Sequence, residues 1–290
     1  MTSRIDLEQL IKWCRIPAEK LEHHPDAKVK IKILNQPDDV YQWVAREMAN
    51  EVKANNRTKQ PTRWILPCGP TKQYPYFCQI VNDEKISLRN VHVFHMDDHL
   101  DWQGRPLPFD HKYSYEGWMR NNFYAPIEAD LAIPEDQRHF PNIFAIDEIS
   151  QKIIDLGGID TTYGGVGYRG FIAYNEPPRS PWYTVSEKDF KDSKTRILHL
   201  NDETLIALSQ RTAGGCSHVI PPMAVTLGMR DLLSAKRIRI FSETGSWKQT
   251  VIRVLLFGPI TTEYPVTFLQ DHPDAMIVVD KLTAAPPLQE

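Results

Sequence analysis

Apolar and polar positions change period several times along this chain, and each change marks an element. Val29 to Leu34 alternates as a strand does, and after Pro37-Asp38 the apolar residues Val40, Trp43, Val44, Met48 and Val52 recur at helical spacing. A strand followed by a helix is the result. The order returns at Trp64-Ile65-Leu66, which runs through a glycine turn into a helix, and at Val91 to His95, which runs into a polar loop. Further strands are expected at Ile159 to Tyr163, Ile197 to Leu200, Ile238 to Ser242 and Ile277 to Val279. Such alternation predicts an α/β fold, a mostly parallel, Rossmann-like sheet with helices on both faces, whose ligands sit beyond the carboxyl ends of the strands.

Residues 1–27 read as an N-terminal extension, a helix and a connector, and 28–290 as a single domain, because no internal repeat and no Gly/Ser-rich run divides them. Pro178 to Lys194 reads as a polar, aromatic-bearing insertion. The formal charge of −3 gives no general attraction to nucleic acid or to an anionic membrane, so an anionic ligand is expected to be small. Cys14, Cys68, Cys78 and Cys216 form no Cys-x-x-Cys pair, and the start MTSRIDLEQL is acidic where a signal peptide has an apolar core. A reducing cytoplasm is the natural setting. The most apolar segments, VIPPMAVTLGM and VLLFGPI, fall short of the roughly 20 residues that span a bilayer.

The stretch GGVGYRGFIAYNEPP contains Gly165-x-Gly167-x-x-Gly170, the spacing of a dinucleotide-binding turn. That turn opens a long helix, however, and Pro177-Pro178 follow too soon for one. A site loop of another kind is expected. The sequence His95-Met96-Asp97-Asp98-His99 places two carboxylates and two imidazoles at a strand end, either as reactive groups or merely to turn the chain. Cys68-Gly69-Pro70-Thr71 leads from a strand into a helix, where backbone N–H groups and the helix dipole favour an anion, or where the chain simply turns. Lys248 after Gly245-Ser246-Trp247 and Arg211 before Gly214-Gly215 read as phosphate ligands or as ordinary surface charges.

Taken in order, LPCGPT, HMDDHL, Ser114-Tyr115 with MRNNF, GGVGYRGFIAYNEP, Pro221 to Gly228, GSWK and LQDHPDAMIVVD resemble the glucosamine-6-phosphate deaminase/isomerase family, which shares its fold with 6-phosphogluconolactonases. The likeness runs from about Lys28 to Leu282. It implies a metal-free and cofactor-free reaction on a small phosphorylated sugar: the ring opens, a carboxylate moves a proton between C2 and C1, and the amine leaves. It implies that Asp97 is the base, with Asp98 in place of the family's usual glutamate. Cys68, Gly69, Pro70, Thr71, Arg211 and Lys248 would hold the phosphate, Arg211 being placed by its spacing to Pro221. It also implies a homo-oligomer. The family's segment reads GGxGxDGHxAFNEP, and its aspartate, histidine and glutamate open the ring. Here the first two are Arg169 and Phe171, and only Glu176 is kept. Phenylalanine has no proton to move and arginine is a fixed cation. The expected activity is therefore an isomerase or deaminase whose sugar arrives open, or whose ring is opened by His99, His218 or Tyr168. A non-catalytic sugar-phosphate sensor and a lactonase-like hydrolase are the alternatives.

Overall fold

The computed structural model describes residues 5–180 and 182–288. The outer limits expected at residues 1 and 290, and Pro181 within the insertion, lie outside the described residues.

A seven-stranded sheet carries strands in the order β1-β10-β9-β6-β2-β3-β5, every pair parallel. These are β1 (Lys30–Leu34), β2 (Thr62–Leu66), β3 (Val91–His95), β5 (Arg138–His139), β6 (Thr161–Gly164), β9 (Arg237–Ser242) and β10 (Ala275–Asp280). Successive side chains point to opposite faces and both faces are covered, so β2 sends Trp64 and Leu66 into one buried layer and Ile65 into the other. The helix Pro37–Arg57 starts where expected, with Pro37 in its first turn and the Asp39 side chain accepting the Gln36 N–H at 3.1 Å. Its Val40, Val44, Met48 and Val52 are fully buried.

The period of the sequence missed a second sheet. β4 (Asp97–Leu100), β8 (Met223–Thr226) and β7 (Arg196–His199) form a three-stranded antiparallel sheet in the order β4-β8-β7. Asp97 to Leu100 is therefore a strand, not a polar loop, and Ile197 to Leu200 feeds this sheet rather than the parallel one. Met96 joins the two, its N–H donating to Leu66 O at 3.1 Å and its carbonyl accepting from Leu227 N at 2.8 Å. Near the amino end, the helix Leu7–Cys14 packs on the helix Gln249–Phe257, whose Arg253 donates to Ile16 O at 2.8 Å, and Leu21 is fully buried in the core.

Candidate active site

Chain segments leaving β2, β3, β6 and β9 converge on a cavity of about 130 Å³, lined by Gly69, Pro70, Asp97, Phe171, Arg211 and Lys248 among others. It lies beyond the carboxyl ends of these strands, as an open α/β sheet favours. The glycine stretch follows β6 as a loop, with no helix after it. Gly165 is required there by space, because a Cβ would stand 2.4 Å from Pro70 Cδ and 3.1 Å from Gly69 O. Gly167 is required by its own loop, since a Cβ would meet the Phe171 ring at 2.1 Å, while its N–H donates to Phe171 O at 2.7 Å.

Lys248 is 3% exposed and, like Arg211, makes no ion pair among the described residues. Burial first and the Arg211 charge second lower its ammonium to about 8, with Glu243 pulling the other way. A buried ammonium and a guanidinium lining one cavity, with Glu243 beside them, form an arrangement that favours an anion. Across the cavity Asp97 is 7% exposed, and burial followed by the charge of Asp98 holds its carboxyl well above the usual range.

Asp98 lines neither this cavity nor the larger one beside it. Its carboxylate accepts the N–H groups of His99, Tyr115 and Glu116 at 2.7, 2.8 and 2.9 Å, which clips β4 to the helix Tyr115–Met119. These bonds oppose the effect of burial, which raises its pKa to about 6. His99 is buried behind the cavity and lies next to Tyr174, whose hydroxyl is 3.0 Å from His99 Nε2 and 2.8 Å from the Tyr115 hydroxyl. Desolvation, then the neighbouring His111, lowers His99 to about 3, so it is neutral at pH 7. Tyr115 and Tyr174 line the cavity, as do Thr204 and Trp247. Periodicity gave no role to these four, although Tyr115, Tyr174 and Trp247 fall inside segments already singled out.

Other expected site residues lie elsewhere. Cys68 is buried beneath the turn, with its thiol against Tyr115 O at 3.7 Å, and neither it nor half-buried Thr71 lines the cavity. His218 sits on an exposed turn, Ser217–Val219, lining neither cavity. Glu176 and Arg169 line a larger cavity of about 600 Å³, which shares Phe171 and Thr204 with the first as a common wall. Glu176 is buried, accepting from Asn201 N at 2.8 Å and from the Thr204 hydroxyl, and burial raises its pKa. Arg169 lies between Glu203 and Glu263 at 3.3 and 3.4 Å. Among the described residues no cluster of His, Cys, Asp or Glu could hold a metal ion, and no helix is long and apolar enough to cross a membrane.

No protein-family model matches the chain. A glucosamine-6-phosphate deaminase of Aliivibrio fischeri is 32% identical over 257 residues, covering 86% of this chain and 89% of that protein. The chain belongs to the glucosamine-6-phosphate deaminase family. Another member, from Phocaeicola vulgatus, is 31% identical over 250 residues, covering 83% of this chain and 87% of its own. The solved structure of a monomeric glucosamine-6-phosphate deaminase superposes with a TM-score of 0.74 at 25% identity, over 88% of this chain and 98% of that one. The fold reaches further, to a 6-phosphogluconolactonase from Thermotoga maritima with a TM-score of 0.61 at 15% identity, over 86% of this chain and 98% of the other. Membership agrees with the resemblance read from the motifs, and the α/β fold with its mostly parallel sheet is the one expected.

Proposed function

We propose that the chain is a sugar-phosphate deaminase or isomerase that moves a proton between C2 and C1 of a phosphorylated amino sugar, with the phosphate held between Lys248 and Arg211. The observation that carries this reading is the buried Lys248 ammonium, which makes no ion pair among the described residues and lines the inner cavity with Arg211 while Asp97 stands in the same cavity. Arg211 supplies a planar fork and Lys248 a point charge, a combination suited to phosphate oxygens. With the phosphate so fixed, the Asp97 carboxylate takes the C2 proton and returns it at C1. A carboxylate whose pKa is raised by burial is a better base than an exposed aspartate. Asp98 is a positioning residue that acts through backbone N–H groups, and Tyr115 and Tyr174 supply hydroxyls at the cavity wall.

Glu176 faces the outer cavity, and the Phe171 ring stands in the wall where the family has a histidine. No proton relay crosses that ring, so the open-chain sugar is the form this site takes up. The test is proton exchange. In deuterated buffer the wild type should place deuterium at C1 or C2 of a hexosamine 6-phosphate, and Asp97→Asn should abolish this while still binding the sugar. Binding that Lys248→Ala weakens, without exchange on any phosphorylated sugar, would mark a sensor instead. Deuterium-free hydrolysis of a lactone would mark a hydrolase.

A further inference from the structure

The outer cavity, at about 600 Å³, has the size of an organic ligand, whereas the inner one, at about 130 Å³, has room for little more than a short phosphorylated chain. Part of its wall comes from positions at which this chain departs from the family segment. Arg169 and Phe171 stand where the ring-opening pair is expected, and the expected insertion contributes Arg179, Val185 and Glu187. The lining is charged with both signs. Arg169 spans Glu203 and Glu263, Arg179 also pairs with Glu203, and Glu176 and Glu187 add further carboxylates. One Glu203 carboxylate oxygen is buried with no hydrogen-bond partner among the described residues.

The direction of the opening decides what part of a substrate can enter. Lys248 and Arg211 line the inner cavity only, and the shared wall is Phe171 and Thr204. A substituent that passes this wall must come from the part of the sugar away from its phosphate, the C1–C2 end on which Asp97 acts. We infer that the outer cavity receives a substituent on the sugar's C2 nitrogen, so that the amine released is an amino-acid-like molecule rather than ammonia. Its carboxylate meets Arg169 or Arg179, and a positively charged side chain meets the surrounding glutamates. This rests on the phosphate assignment proposed above.

The step balances without a redox partner. The C2–H proton passes to Asp97 as the electron pair forms the C1=C2 bond and the C1 oxygen takes a proton from the substituted ammonium at C2, giving a neutral enol; Asp97 then returns its proton to C1, leaving a C2=N iminium. Water adds at C2, the C2–N bond breaks, and the nitrogen takes a proton. One substituted amino-sugar phosphate and one water yield one ketose phosphate and one free amine.

The probes are glucosamine 6-phosphate and its derivative in which the α-nitrogen of lysine replaces the C2 amine. By calorimetry the derivative should bind about tenfold or more tightly than glucosamine 6-phosphate, the size expected of one or two added charge-assisted contacts. Arg179→Ala should remove most of that advantage, and Val185→Trp, which adds bulk to the lining of the outer cavity, should reverse it. In the wild type, kcat/KM should favour the derivative and free lysine should be the product. Equal or weaker binding of the derivative, with glucosamine 6-phosphate still held in a Lys248-dependent way, overturns this inference alone. Failure of both compounds to bind overturns the phosphate assignment, and the inference falls with it.

Discussion

The inner and outer cavities share one wall yet handle charge in opposite ways. Outside, each guanidinium already has carboxylate partners, Arg169 with Glu203 and Glu263, and Arg179 with Glu203. Inside, Lys248 and Arg211 make no ion pair among the described residues, although Lys248 is far more deeply buried than Arg169. A buried charge without a counter-ion costs free energy, and at the edge of a cavity an anionic ligand can offset that cost. The outer pairs are half-exposed and screened by solvent, and they shape a wall at little cost. Unpaired buried charge therefore distinguishes the inner cavity from the outer one.

The contrast can be broken most severely at Asp97. Asp97→Asn keeps shape and removes the basic oxygen, so turnover should fall by about 100-fold or more with binding retained, as steady-state kinetics and calorimetry together would establish. Unchanged turnover would reduce Asp97 to a strand residue.

Next in size is the proposed anion site. Lys248→Ala or Arg211→Ala should weaken sugar-phosphate binding by about 1–3 kcal/mol, whereas Arg169→Ala should leave the phosphate contribution alone. The pH dependence carries a sign. Lys248 is lowered to about 8 in the fold, so phosphate affinity should decline as pH rises through about 8. Without ligand the folded state binds this proton less readily than the unfolded chain. Stability should therefore rise from about pH 8 toward the ordinary lysine range, a slope that Lys248→Met should flatten. Thermal unfolding over that interval, compared between wild type and variant, decides it.

A comparable effect is expected in the shared wall. Gly167→Ala drives a methyl group into the Phe171 ring, which should cost about 1–3 kcal/mol as overpacking does. In a Phe171→Ala background the same change should be nearly silent. Additivity of the two in a double-mutant cycle would show that they do not touch.

The smallest effect belongs to the outer ion pairs. Arg169→Ala should lower stability by less than about 1 kcal/mol, because both pairs are solvent-screened. Arg169→Asp should cost more than Arg169→Ala, since it sets a third carboxylate between Glu203 and Glu263. Equal denaturation midpoints for the two variants would mean that these charges do not sense each other.

The long β-then-α units were legible because each covers its own apolar face, and Val40, Val44, Met48 and Val52 declare a helix within one segment. β4 was not. Its four residues, Asp97 to Leu100, carry two aspartates and a histidine, and its pairing partner Met223–Thr226 lies more than a hundred residues away. Strand character of that kind comes from pairing rather than from local sequence. The same holds within the site. Asp97, Arg211 and Lys248, which motifs singled out separately, line one cavity. Asp98 and Glu176 were grouped with Asp97 by chemistry, yet chain direction turns Asp98 onto backbone N–H groups and Glu176 toward Thr204. Spacing along a chain records where a carboxylate is attached and not which way it faces.

The contact between Gly167 and Phe171 also bears on how such a site can change through descent. While the phenylalanine ring occupies the space beside Gly167, any larger residue at 167 meets it. Once residue 171 becomes small, that constraint lapses, and an alanine can drift in at 167 without penalty. Thereafter a return to phenylalanine at 171 meets the new methyl group and is blocked until glycine is restored first. The order of substitutions therefore matters, and the wall between the two cavities works as a ratchet on the lineage that carries it.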